Sequence, residues 1–215
     1  MTRMKFKNYL FVLTTMSVIL SSCSKEDNDI KQSSILPLNV ANEWTFIDST
    51  FHYYSGDIDL DTSKIQFGYY YEIGDYSGYT SQPLVSGNPI SLINTDNEGN
   101  AEEYLFLSDT LVFRNIRYKL NASRGDKWTF KTAVYTNGDY TKVTIRELEM
   151  KCTCSDTIIQ TPKGNFTCKG FSYSPNNGDD TFVSYFSENI GWILELHYEG
   201  SNLFQKSTLL DYHIE

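Results

Sequence analysis

The sequence predicts an all-β protein built from antiparallel strands. Apolar and polar residues alternate repeatedly from Trp44 to the C-terminus, and no stretch of a dozen residues shows a helical period. Composition agrees, because β-branched and aromatic residues fill the alternating runs, with 16 Tyr and 13 Phe among 215 residues. The clearest strand is Trp192 to Tyr198, where Trp192, Leu194, Leu196 and Tyr198 fall on one face and Glu195 and His197 on the other. One face in a core and one in water is the pattern of an antiparallel sheet.

Similar alternation predicts strands over 43–54 ("EWTFIDSTFHYY"), 63–73 ("SKIQFGYYYEI"), 102–107, 110–120, 127–135, 140–150, 165–173, 181–186 and 203–214. In "IIQTPKGNFTC", Pro162 presets the first corner of a type I turn, Lys163 takes the second, and Gly164 supplies a positive φ. The flanking strands must then pair as a hairpin. The string "WTF" occurs at Trp44-Thr45-Phe46 and again at Trp128-Thr129-Phe130, each time after turn residues (Asn42; Gly125-Asp126). Either two half-domains descend from a duplication, or the two strings arose separately.

The N-terminus has a basic start (Arg3, Lys5, Lys7), an apolar stretch from Tyr9 to Leu20, and the small residues Ser21 and Ser22 before Cys23. These are the parts of a secretory signal. The apolar run is short of the roughly 20 residues that a permanent membrane helix needs. Residues 1–22 carry three cations and no anion, so their removal takes the formal net charge from −9 to −12. A body this acidic repels phosphate backbones, and no nucleic-acid partner is expected. Residues 23–35 are polar and without periodicity, which predicts a disordered acidic tether ahead of one β domain over 36–215.

The string "LSSC" resembles the lipobox of bacterial lipoproteins, in which the cysteine is acylated and the signal is cut just before it. That resemblance makes Cys23 the lipidated residue, with two or three acyl chains holding the body on a membrane. The following Ser24-Lys25-Glu26-Asp27-Asn28-Asp29 resembles the acidic surface-export tag of lipoproteins from the Bacteroidetes group. It implies an outer-membrane protein facing outward; an ordinary charged tether would leave it facing the periplasm. The polar turn before "WTF", the "TPKGNF" hairpin and "YFSENIGWILEL" are similar to recurring features of uncharacterised lipoproteins of the same group, chiefly from Gly125 onward. That likeness implies a curved antiparallel sheet or half-open barrel, lipocalin-like or lipoprotein-carrier-like, and no reaction.

No catalytic signature is present, whether a nucleophile elbow, a metalloprotease helix or a phosphate-cradling glycine loop. His52, His197 and His213 lie at separate strand positions; His197 alternates with Glu195 and Glu199 on what reads as a solvated face. Asp57, Asp59 and Asp61 share one face opposite Ile58 and Leu60, which would suit calcium, but Thr62 and Gly68 stand where a calcium loop wants glycine and glutamate. A solvated strand face fits better, and no metal or other cofactor is expected. Cys152 and Cys154, two apart on a strand, should share a face and so be badly placed to bond each other, which reads as structural thiols or a partial pairing with Cys168.

The densest local feature is "FGYYYEIGDYSGYT". Tyrosine offers an apolar ring with a polar tip, so Tyr70, Tyr76 and Tyr79 on a loop are the candidate ligand-binding residues, beside a plainer reading as packing. A non-catalytic binding module for a glycan or apolar ligand is the function expected, with an aromatic groove free of converging ionisable groups. A structural or accessory subunit of an outer-membrane complex would instead show a flat apolar patch. A glycoside hydrolase would show two carboxylates about 5–9.5 Å apart in a cleft.

Overall fold

In the computed structural model residues 33–81, 89–107, 110–136, 139–175 and 179–215 are described, and every regular element among them is a strand. In chain order these are β1 (Glu43–Phe51), β2 (Ile58–Gln66), β3 (Tyr69–Ile73), β4 (Tyr76–Thr80), β5 (Pro89–Thr95), β6 (Ala101–Leu107) and β7 (Thr110–Tyr118). There follow β8 (Lys127–Thr136), β9 (Asp139–Thr161), β10 (Gly164–Tyr173), β11 (Asp180–Ser187), β12 (Gly191–Glu199) and β13 (Asn202–His213). All lie in one compact unit, Ser33–Glu215. Cys23 and the tether up to residue 32 lie outside the described residues.

Two antiparallel sheets form. The larger has the order β2-β1-β13-β12-β11-β10-β9-β8, the smaller β3-β4-β5-β6-β7, and neither closes on itself. The protein is therefore all-β, as the alternation predicts, with open, curved sheets, as the lipoprotein resemblance implies. Curvature is visible in the larger sheet, where Phe166 of β10 meets Tyr212 of β13, ring centroids 6.1 Å apart, although β11 and β12 lie between them. The Lys163 ammonium at the hairpin tip pairs with the Asp211 carboxylate across the same gap.

One face of the larger sheet, here the inner face, packs on the smaller sheet. Tyr118 meets Phe186 at 4.3 Å, the Arg117 guanidinium lies over Phe130 at 4.5 Å, and Trp128 donates its indole N–H to the Ile116 carbonyl. Trp44, Phe46, Phe130, Phe171 and Phe186 are buried in this core, each contributing about 1.5–3 kcal/mol through removal from water.

Several elements depart from the sequence reading. The strand expected over 63–73 is two strands in different sheets, because buried Phe67 ends β2 and Gly68 lets the chain cross to β3. The strand expected over 140–150 continues to Thr161, pairing first with β8 and then with β10. Tyr76 and Tyr79, expected on a loop, lie on β4, which hairpins with β3 through Gly74-Asp75; Gly74 has φ +61°, as a two-residue hairpin turn requires. Ser34 and Ile35, expected in the tether, are buried, since the Ile35 N–H reaches the Gly99 carbonyl and the Ser34 N–H reaches Asn189 Oδ1. The 161–164 hairpin forms with Thr161 opposite Gly164, whose φ of +145° opens β10. Two half-domains do not emerge, because β1 and β2 belong to the sheet of β8–β13.

A register shift between Gly170 and Phe171 sets Cys152 opposite Phe171 and Cys154 opposite Gly170. Neighbours on β10 face opposite ways, so Cys152 and Cys154 do not share a face, contrary to expectation. Cys152, Cys154 and Cys168 are all free thiols, and burial pushes Cys168 up to about 12.

Candidate functional site

The inner face of the larger sheet carries a polar band through its aromatic core. Residues directly opposite on antiparallel neighbours share a face. By register, one row runs Asp61, Asp48, Ser207, Glu195, Ser184, from β2 across β1, β13 and β12 to β11. The next runs Asp59, Thr50, Gln205, His197, Phe182, ending on Tyr173 of β10. Phe182 packs against His197 with the rings stacked at 4.3 Å. A bulge at Ile193 completes the site, since Tyr185 pairs with Leu194 and Phe186 with Trp192. Trp192 thereby joins Glu195 and His197 on one face. The alternation had put it on the other, and had left Glu195 and His197 in water.

Between this band and β7 lies a cavity of about 350 Å3, walled by Tyr118, Tyr173, Phe182 and Trp192 and lined by Arg117, Glu195 and His197. The polar groups are held firmly. Ser184 donates to Glu195 Oε1 at 3.2 Å and is hydrogen-bonded to the Tyr118 hydroxyl. Arg117 Nη1 stands 3.3 Å from Glu103 Oε2, and Ser91 donates to the other oxygen of Glu103 at 2.6 Å. Burial works against the Arg117 charge, but Glu103 together with Tyr118 and Tyr173 outweighs it and holds the guanidinium above its ordinary range. Burial pushes Tyr118 up to about 12, and raises Glu195, with the Asp48 charge adding to the same effect.

Among the described residues no hydrogen-bond partner is found for two buried ring nitrogens here, Trp192 Nε1, a donor, and His197 Nε2. Asp180 Oδ1 stands 3.6 Å from His197 Nε2, just outside hydrogen-bond reach. Trp192 as a whole is 9% exposed, and also walls a wider, open cleft of about 820 Å3 reaching Lys64, Phe67 and Tyr69. A buried unpaired donor costs about 1–3 kcal/mol, which an acceptor entering the cavity would recover.

The sequence-predicted tyrosines divide. Tyr70 and Tyr79 lie opposite each other on one face, with centroids 5.1 Å apart, and Tyr79 packs on the main core. Tyr76 lies on the other face of the smaller sheet, against Tyr104 at 5.2 Å and Phe106 at 5.9 Å. The three do not form one surface, because β4 is a strand and residues three apart on it point opposite ways. The described residues contain no group of three His, Cys, Asp or Glu side chains that could hold a metal ion, and Asp59 is engaged by His52 at 2.8 Å. The cavity is aromatic-walled as a binding module requires, but ionisable groups converge on it, which the sequence reading did not anticipate. Arg117 and Glu195 carried no motif; a lone Glu–x–His on an otherwise apolar strand was the available signal.

No family model and no curated protein matches the chain. Among solved structures, similarity is found to a candidate exported protein with a YmcC-like fold from Bacteroides fragilis. It is 12% identical and covers 83% of this chain and 98% of that one at a TM-score of 0.38. A candidate lipoprotein from Parabacteroides distasonis is also 12% identical, covering 85% of this chain and 100% of that one at a TM-score of 0.42. Likeness of this degree assigns neither activity nor ligand.

Proposed function

We propose that the chain is an exported outer-membrane lipoprotein, anchored through acylated Cys23 and facing outward, whose β body is a non-catalytic binding module for a small hydroxyl-rich ligand such as a sugar. The signal, the "LSSC" string and the acidic stretch after it support the address. The ligand reading rests on one observation: a cavity of about 350 Å3 with aromatic walls in which Trp192 Nε1 and His197 Nε2 are buried with no hydrogen-bond partner among the described residues. Apolar faces for ring carbons beside a few fixed polar groups are what a sugar site needs. Glu195 and Ser207 accept from and donate to hydroxyls, and the Arg117 charge is already balanced by Glu103. Tyr70 and Tyr79 act together as a further contact for a longer glycan; Tyr76 does not join them.

Titration calorimetry of the soluble body against a panel of mono- and disaccharides tests this. Saturable binding is expected for at least one sugar, recovered unconverted. Trp192→Phe, which keeps a ring and removes the N–H, should weaken it at least tenfold while circular dichroism stays unchanged. Absence of binding across the panel, or full affinity in Trp192→Phe, overturns the ligand reading, and conversion of the sugar overturns the non-catalytic one. Mass spectrometry of the native protein tests the anchor separately, through a diacylglyceryl thioether on Cys23.

A further inference from the structure

Four strands form the free edges of the two sheets, β2 and β8 of the larger and β3 and β7 of the smaller. Three of them cover side chains. β8 buries Phe130, β7 buries Phe113 and Tyr118, and β3 half-buries Tyr71 and Ile73. β2 differs, for all of its nine residues but Ile65 are exposed, Ile58 at 55% and Leu60 at 70%. Beyond the ladder to β1 it is held by exposed side-chain pairs, Asp59 with His52 and Lys64 with Glu43, and by Ile65 against the core. Among the described residues no strand pairs with its outer edge, and an exposed edge strand is a template for another strand.

The chemistry of β2 states what it would accept. Asp59 and Asp61 stand on the inner side, and Ile58 and Leu60 alternate with them on the other. Asp61 lies directly opposite Asp48, the row that continues to Glu195, and no ion pair is found for Asp48 or Asp61 among the described residues, while Asp59 is held by His52 at 2.8 Å. Like charges directly opposite each other on a sheet destabilise it. A second copy of the chain pairing β2 to β2 would add more acids to that row. A strand with cations at alternate positions would neutralise it while covering Ile58 and Leu60.

We propose that β2 accepts, as a ninth strand of the larger sheet, an extended segment of a partner protein in which basic and apolar residues alternate. The basic side chains face Asp59 and Asp61, the apolar ones Ile58 and Leu60, and backbone hydrogen bonds along the edge hold the segment in register. This surface is separate from the cavity and stands whether or not a sugar binds there.

The test titrates the full β body with a synthetic nine-residue peptide of alternating Lys and Val. Two controls are a peptide of the same composition with Lys and Val in blocks, and an alternating Glu–Val peptide. The alternating Lys peptide should bind at least tenfold tighter than either, with amide shifts confined to β2 and β1. The double reversal Asp59→Lys with Asp61→Lys, its fold verified by circular dichroism, should turn the preference to the Glu peptide by a similar factor. Equal binding of alternating and block peptides would mean charge attraction alone and overturns the proposal. So do absence of binding, an unchanged preference in the reversed variant, or concentration-dependent dimerisation through β2.

Discussion

Trp44-Thr45-Phe46 and Trp128-Thr129-Phe130 share three residues and a strand conformation, yet they hold different places in the molecule. Both indoles donate to a backbone carbonyl, Trp44 to Ile190 at 2.6 Å and Trp128 to Ile116 at 3.1 Å, and both phenylalanines are buried. Trp44, however, lies on interior strand β1, fully covered, with Trp192 edge-on at 5.7 Å and Phe67 at 6.1 Å. Trp128 lies on edge strand β8, half covered, with the Lys119 ammonium 5.0 Å above its ring. Identical local sequence supplies the same donor and the same rings. Position in the sheet decides how much apolar surface they remove from water.

That difference can be broken by truncation. Trp44→Ala should cost about 3–5 kcal/mol as a large-to-small change in a closed core. Trp128→Ala should cost less, on the order of 1–2 kcal/mol for a half-covered side chain. Urea unfolding of both variants measures this, and equal losses would show that sheet position is not what separates them. A finer probe uses the glycines beside the two segments. Gly191 has φ +90°, and a Cβ there would stand 3.0–3.1 Å from Trp44 and Leu36. Gly125 has φ +98° and open space around it. Gly191→Ala should cost about 1–3 kcal/mol, Gly125→Ala only its backbone share of roughly 1 kcal/mol. The first should be non-additive with Trp44→Ala, since the two sites touch.

The smallest expected effect is a pH dependence near Trp192. Burial raises the Glu195 pKa above its ordinary 4.5, so the folded protein holds this proton more tightly than the unfolded chain. The stability it contributes is complete below about pH 4.5 and is lost as pH rises through the folded value. Glu195→Gln should therefore melt higher than the parent at pH 7, with the gain disappearing towards pH 4. A difference independent of pH would mean that Glu195 is ionised in place.

Most of the fold was legible because alternation is a local signal: the strands of residues 102–118 and 164–213 follow it closely. The site was less so, because it depends on where alternation is interrupted. One extra residue at Ile193 moves Trp192 across the sheet to join Glu195 and His197, and nothing in "GWILELHY" marks the bulge. Arg117 faces Glu195 only because the smaller sheet lies over the larger, a relation between strands far apart in sequence. The β3–β4 hairpin was readable in principle from Gly74-Asp75 between two tyrosine runs. Strand β5 was missed.

β1 is sandwiched between β2 and β13, with Trp44 opposite Tyr212 and Glu43 opposite His213, and the Glu215 N–H bonded to Asn42 Oδ1. Some 170 residues must be looped out before that seam can zip, an entropic toll of long-range pairing that slows the search for the native state. Until β13 arrives, β1 can pair with β2 alone, so the β1–β13 seam closes only after every strand between them has been made.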